Sequence, residues 1–219
     1  MRVLALDTAL DHVQAALISL PDVDTADAAI LGVSRAAAKG DAEAIVDHAN
    51  AALAMAGAAY GDIDHIAVTV GPGSFTGVRV GIAFAKGIAF ARAVPASGVP
   101  TLEVLAREAR AAGPGSVLAV VDARHDAVFA ALYVEGSDEA SLMARIPVAE
   151  ARVTAHAARA RIVGPASGVA AMGEGEVIDA LDLVALAEAG VARKARPVSA
   201  LYLAPVDAAP QRHKSLARA

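Results

Sequence analysis

An internal repeat constrains this chain more than any other feature. The opening LALDTALDHVQAALI returns 115 residues later as AVVDARHDAVFAALY, so that Asp7, Asp11, Val13, Ala15, Ala16 and Leu17 recur as Asp122, Asp126, Val128, Ala130, Ala131 and Leu132. Each copy reads as a strand ending at an aspartate, a tight turn, and a second strand. Alanine matches are cheap in an alanine-rich chain, but the strand pattern and both aspartates agree together, which implies a duplicated α/β fold. A chain of 219 residues divides into two lobes of about 100 residues each. Gly113-Pro-Gly115 marks the break, giving an N-terminal lobe over 1–112, a C-terminal lobe over 113–205 and a flexible tail over 206–219.

Within the first lobe, apolar runs predict strands at Val3–Leu6, Val13–Leu20 and Ile63–Val70, and a short one over Val94–Val99. Helical spacing puts Ile45, Ala49, Ala52, Leu53 and Ala56 on one face of a helix over Ala42–Gly57, with Asp41 and Glu43 at its positive end. Further helices are expected at about Thr76–Arg92 and at Thr101–Ala112. The second lobe is less regular: Ile162–Pro165 reads as a strand end, Val177–Ala189 as a helix, and Pro197–Leu203 as an ordered C-terminal segment.

The glycine-rich stretch GPGSFTGVRVG, Gly71 to Gly81, follows the third of these strands. It is no P-loop, because no lysine follows Gly77 to neutralise phosphate. A dinucleotide fingerprint fails because its third glycine arrives one place late, and a nucleophile elbow fails because Pro72 and Thr76 replace the glycines around Ser74. Ser74 reads as a turn or cap residue. A strand feeding a helix leaves the first N–H groups free, so Gly71, Pro72, Gly73, Ser74, Phe75 and Thr76, with Arg79, form a generic anion site as well as a turn. Downstream, Gly77, Gly81, Ala85 and Ala89 make a small-residue stripe, although glycines at 77, 81 and 87 each cost a helix about 1 kcal/mol relative to alanine. Close packing must offset that cost. The bare sequence leaves open whether the neighbour is the chain's own core or a second chain's helix.

Composition narrows the function classes. A net charge of −5 argues against a domain that grips nucleic acid alone. The absence of cysteine removes disulfides, thiolate metal sites and cysteine nucleophiles. No apolar run has the length of a membrane span, and the N-terminus lacks the pattern of a signal peptide, so a cytoplasmic protein is expected.

Taken together, LALDTA, IAVTVGPGSFTGVRVGIAFAKGIAFA, PTLEVLA at 100–106 and VLAVVDARHDAVFAALY at 117–133 resemble the TsaB (YeaZ) family. The resemblance covers nearly the whole chain. It departs at LYLAPVDAA, where Ala204 replaces the family's arginine, and at Lys39-Gly-Asp-Ala-Glu43, where the first helix opens differently. It implies the duplicated two-lobed ASKHA (actin, sugar kinase, Hsp70) fold. It also implies a non-catalytic companion of a TsaD-type transferase, acting with a TsaE-type ATPase to form N6-threonylcarbamoyladenosine at position 37 of tRNAs reading codons that begin with A. The further implications are a homodimer when TsaD is absent, tRNA contact only through the complex, no membrane, and no cofactor of its own, with ATP or ADP confined to the interface with a partner. Carried onto this chain, the partner interface falls on Ile45, Ala49, Leu53, Ala56, Gly77, Gly81, Ala85 and Ile88.

Three enzymatic alternatives stand beside this reading. A TsaD-like metal site needs two histidines one helical turn apart, and His12, His48, His65, His125, His156 and His213 contain no such pair. An autonomous ASKHA-type ATPase or phosphotransferase would place Asp7, Thr8 and Asp122 around a nucleotide. Yet Asp7-Thr-Ala-Leu-Asp11 and Asp122-Ala-Arg-His-Asp126 lack the glycines that let a backbone approach phosphate, so these positions read as vestigial. An M22-like glycoprotease has neither a metal pair nor an activated nucleophile in this sequence. The basic groups Arg193-Lys-Ala-Arg196 and Arg212-His-Lys214 read as solvated surface that can steer tRNA.

Overall fold

The computed structural model describes residues 1–21, 28–37, 41–192 and 197–203. Lys39 and Gly40 of the altered helix opening, Ala204, the basic run 193–196 and the tail 206–219 with its basic group lie outside them, while Asp41, Ala42 and Glu43 enter a short 3-10 turn over Ala42–Ala44.

The repeat is realised strand by strand. In the first half, β1 (Arg2–Asp7), β2 (His12–Ser19), β3 (Ala29–Ala37), β4 (His65–Thr69) and β5 (Ala96–Val99) form a sheet in the order β3-β2-β1-β4-β5. The second half supplies β6 (Val117–Asp122), β7 (Ala127–Tyr133), β8 (Ala140–Pro147), β9 (Arg161–Gly164) and β10 (Glu176–Val177), whose order β8-β7-β6-β9-β10 is the same. In both sheets the first strand is central, antiparallel to the second and parallel to the fourth. Helices follow in matching places: α1 (Ile45–Met55) and α4 (Val148–Ala158) after the third strands, α2 (Phe75–Arg92) and α5 (Ala166–Met172) after the fourth, α3 (Thr101–Ala112) and α6 (Leu183–Val191) after the fifth.

Alternation along the strands sets the layers. On β1, Leu4 and Leu6 join Ile45, Ala49, Leu53, Ala85 and Ile88 of α1 and α2 on the outer face, while Val3 and Ala5 join the central core. The second sheet repeats this with Leu118 and Val120 toward α4 and α5, and Val117, Ala119 and Val121 inward. One apolar core therefore runs between the two sheets.

The helices filling that core are exchanged. Helix α3, counted with the first lobe from the sequence, packs on β6, β7 and β9 of the second sheet, and α6 packs on β1, β4 and β5 of the first. Arg161 at the start of β9 fastens the exchange: its Nη2 donates to the Ala109 and Gly113 carbonyls at the end of α3 (2.6 and 2.9 Å), and its Nη1 to Glu176 at 3.4 Å. A cation there complements the negative end of the helix. Five elements had no counterpart in the sequence reading: β3, β8, the Ala-rich α4, the short α5, and β10, whose Val177 begins the stretch expected as a helix that instead starts at Leu183. Few of their residues are buried, so their apolar period is faint.

Candidate functional site

The glycine-rich turn is built against the first β-turn of the chain. Ser74 caps α2, its Oγ accepting from the Gly77 N–H at 3.2 Å, while its own N–H donates to the Ala9 carbonyl at 2.7 Å. The Gly71–Pro72 bond is cis, and the Gly71 carbonyl accepts from Thr101 N–H at 2.9 Å. Thr8 is buried on α2, where its Oγ1 donates to the Gly77 carbonyl at 2.7 Å. A Cβ at Gly77 would overlap the Thr8 carbonyl oxygen, and one at Gly81 would overlap Thr8 Oγ1. The glycine stripe is thus the groove in which β1's turn lies.

That geometry corrects the interface expected from the sequence. Ile45, Ala49, Leu53, Ala85 and Ile88 are buried against the chain's own sheet, Gly77 and Gly81 are buried against Thr8, and Ala56 is half-buried beside them. Apolar periodicity marks the face a helix buries but not what it is buried against. The opposite ridge of α2 carries Ala83, Lys86, Gly87 and Phe90, all exposed, and Phe90 is 92% exposed. A Cβ at Gly87 meets nothing within 4 Å. Val46 and Met55 of α1 are also exposed, Met55 at 67%.

The two repeated aspartates have diverged. Asp7 is sealed inside the first half, its Oδ1 accepting from Thr69 Oγ1 (2.7 Å) and Ala9 N–H (3.0 Å), its Oδ2 from Gln14 Nε2 (3.1 Å). Burial pushes its pKa above the ordinary carboxylate value, against the pull of these donors. Asp122 instead borders an open cleft of about 560 Å³ between the halves, its Oδ1 accepting from Arg124 N–H at 2.9 Å. At the 115-residue offset, Phe129 stands where Gln14 does, so no side-chain amide draws Asp122 inward. Arg124, His125 and Asp126 follow with φ of 57°, 52° and 54°.

A test of the Asp7 network follows from its chemistry. Gln14 Nε2 also donates to the Leu181 carbonyl at 3.0 Å, so turning the amide would set two oxygens together. Asp7→Asn therefore faces one NH2 with another and is expected to cost about 1–3 kcal/mol at acid pH. A raised native pKa means the native state holds the proton more tightly, so this group's contribution is full below the unfolded pKa and is lost as pH rises through the native one. The gap between wild type and variant should therefore narrow with rising pH in urea unfolding; a gap that widens contradicts the assignment.

Two histidines, His48 and His65, take structural places. His48 Nδ1 lies 2.8 Å from Ser34 Oγ, and His65 Nε2 lies 3.0 Å from Ser97 Oγ, with burial pushing the His65 pKa down. Among the described residues no group of three His, Cys, Asp or Glu side chains could hold a metal ion, and no helix is long and apolar enough to cross a membrane.

Two five-stranded sheets of one order, each central strand leading into the shared cleft, define the duplicated two-lobed ASKHA architecture. A family model described as "TsaD: tRNA N6-adenosine threonylcarbamoyltransferase" matches residues 33–164, more than half of the chain, and the chain belongs to that family. Among its relatives, the Escherichia coli tRNA threonylcarbamoyladenosine biosynthesis protein TsaB is 36% identical over 134 residues, covering 61% of this chain and 55% of that protein. The Bacillus subtilis TsaB is 42% identical over 72 residues, 33% of this chain and 31% of that one. YeaZ from Pseudomonas aeruginosa superposes with a TM-score of 0.72 at 28% identity, covering 92% of this chain and 99% of that one. The matches thus span between about a third and a little more than half of these curated relatives, while the fold matches a solved YeaZ over 92% of this chain.

Proposed function

We propose that this chain is a non-catalytic accessory subunit that pairs with a TsaD-type transferase and supports the formation of N6-threonylcarbamoyladenosine at position 37 of tRNA. The observation that carries the reading is the outer ridge of α2, where Gly87 and Phe90 serve no packing among the described residues. A glycine facing open space weakens a helix for no internal gain, and with Ala83 and Phe90 on the same ridge it leaves a small, apolar surface open to a partner's helix. A partner's helix crossing at Gly87 accounts for both. The sealed Asp7 and the Thr8 wedged on α2 support an accessory role, since neither can reach a bound nucleotide.

In this reading a TsaE-type ATPase joins the pair, tRNA is met only through the complex, and a second copy occupies the same ridge when the transferase is absent. Any ATP or ADP lies at the shared interface, and the protein works in the cytoplasm. Reconstitution tests it: the transferase, the ATPase, ATP, threonylcarbamoyl-adenylate and tRNA are combined with and without this chain. Modification should fall to background on omission. Full modification without the chain, or turnover of Mg-ATP by the chain alone, would overturn the reading.

A further inference from the structure

A depression that shares no lining residue with the cleft lies where α4 ends and β9 begins. Its volume is about 600 Å³, within the range of about 300–1,000 Å³ usual for small-ligand clefts. In a chain of net charge −5, the lining holds Arg152, His156, Arg159 and Arg161 against one carboxylate, Glu174. Helical spacing places Arg152, His156 and Arg159 on one side of α4, while Val148, Ala151 and Ala155 form its buried face.

Two of the arginines are already fixed. Arg152 Nε donates to the Met172 carbonyl at 2.9 Å, and its Nη groups make no hydrogen bond among the described residues. Arg161 is anchored on the end of α3 and on Glu176. A ligand therefore meets side chains whose conformations are ordered beforehand, which lowers the entropic cost of binding. His156 and Arg159 form no side-chain hydrogen bond or ion pair among the described residues.

Arg159 stands in an unfavourable place. It closes α4 in the left-handed region, at φ 49°, with its N–H donating to the His156 carbonyl at 3.1 Å. That region strains a residue with a side chain and favours glycine. At the ends of α1 and α5 the corresponding residues are Gly57 (φ 60°) and Gly173 (φ 73°), and α2 uses the small Ala93 (φ 53°). Among the described helix ends, only α4 puts a long cation there. The negative end of α4 favours a cation in its last turn, but that field fades before Arg152 and does not require the strained position.

We propose that this depression binds a phosphate group, held by Arg159 and Arg152 with His156 beside them. A planar guanidinium matches phosphate oxygens in pairs, and three such groups line the wall. The site is separate from the α2 ridge and does not depend on the pairing reading above. A free phosphate compound and the backbone of a nucleic acid offer the same chemistry.

The test follows amide chemical shifts of the full chain, at constant ionic strength, during titration with inorganic phosphate, acetate and a short RNA hairpin. Phosphate should saturate, with shifts confined to 152–162 and 172–175, and acetate should not. Arg159→Gly relieves the strained backbone while removing the donor. Its melting temperature should equal or exceed that of wild type, and its phosphate affinity should fall about tenfold. Glu174→Gln removes the opposing carboxylate and should tighten phosphate about threefold. RNA that binds more tightly than phosphate, loses affinity steeply with added salt and is weakened by Arg159→Gly assigns the site to a nucleic-acid backbone; RNA that binds no more tightly assigns it to a free phosphate compound. No saturation by phosphate, shifts elsewhere, acetate binding as tightly as phosphate, or unchanged affinity in Arg159→Gly would each overturn the proposal. Should Arg159→Gly unfold, Glu174→Gln still decides, because unchanged or weaker phosphate binding in that variant overturns the site.

Discussion

Replacing Gly77 with alanine is expected to destabilise the protein by about 3 kcal/mol, although the same change in an ordinary helix would stabilise it by about 1 kcal/mol. The added methyl group would overlap the Thr8 carbonyl oxygen, a backbone atom that cannot swing aside. Thr8 is held there by its own hydrogen bond to the Gly77 carbonyl and by the buried Asp7 network next to it. Relief would require β1's turn to lift from α2, and overpacking of this kind outweighs helix propensity. Gly87→Ala on the same helix is the control, because its methyl group enters open space. Urea unfolding should show opposite signs for the two variants. Equal effects would mean that the turn does not press on α2.

Gly87→Arg should separate folding from association. Arginine is a good helix former and meets nothing at this position, so the monomer should remain as stable as wild type or slightly more so. Pairing with the transferase-type partner is expected to weaken about 100-fold, since a long charged side chain would stand where two helices cross, and such central positions dominate binding. Calorimetric titration of the purified proteins reads this directly. Wild-type affinity would move the interface away from α2, whereas an unfolded monomer would show that Gly87 is packed after all.

These two glycines show what the sequence can and cannot reveal. Both stand in the same helix, and both carry the same propensity cost. The stripe Gly77, Gly81, Ala85 marked a tight contact correctly but could not name the neighbour, because a period of four reports a face and not its occupant. The neighbour is Thr8, some 69 residues earlier, and only the fold brings it there. The duplication, by contrast, was legible from residues alone, because a strand-Asp-turn-strand unit repeats with its aspartate fixed at each strand end. The divergence of Asp7 and Asp122 was half visible. Gln14 against Phe129 at equivalent positions is the signal, since one can hydrogen-bond a carboxylate and the other cannot. The Arg79 guanidinium, 3.6 Å from the Phe75 ring centroid and donating to the Tyr202 hydroxyl at 3.0 Å, joins a trio that was not visible, as its third member comes from the far end of the described chain.

The exchange of α3 and α6 bears on how such a chain arose. A half-length ancestor folded in this way would leave its last helix without a sheet of its own to cover. Two copies could satisfy one another by trading that helix across a two-fold axis, as an obligate pair. Fusion in tandem would then preserve every contact of that pair while freeing each copy to change alone. The present chain has the pattern such a history would leave: two sheets of one order knitted by exchanged helices, with one aspartate sealed and the other facing the cleft.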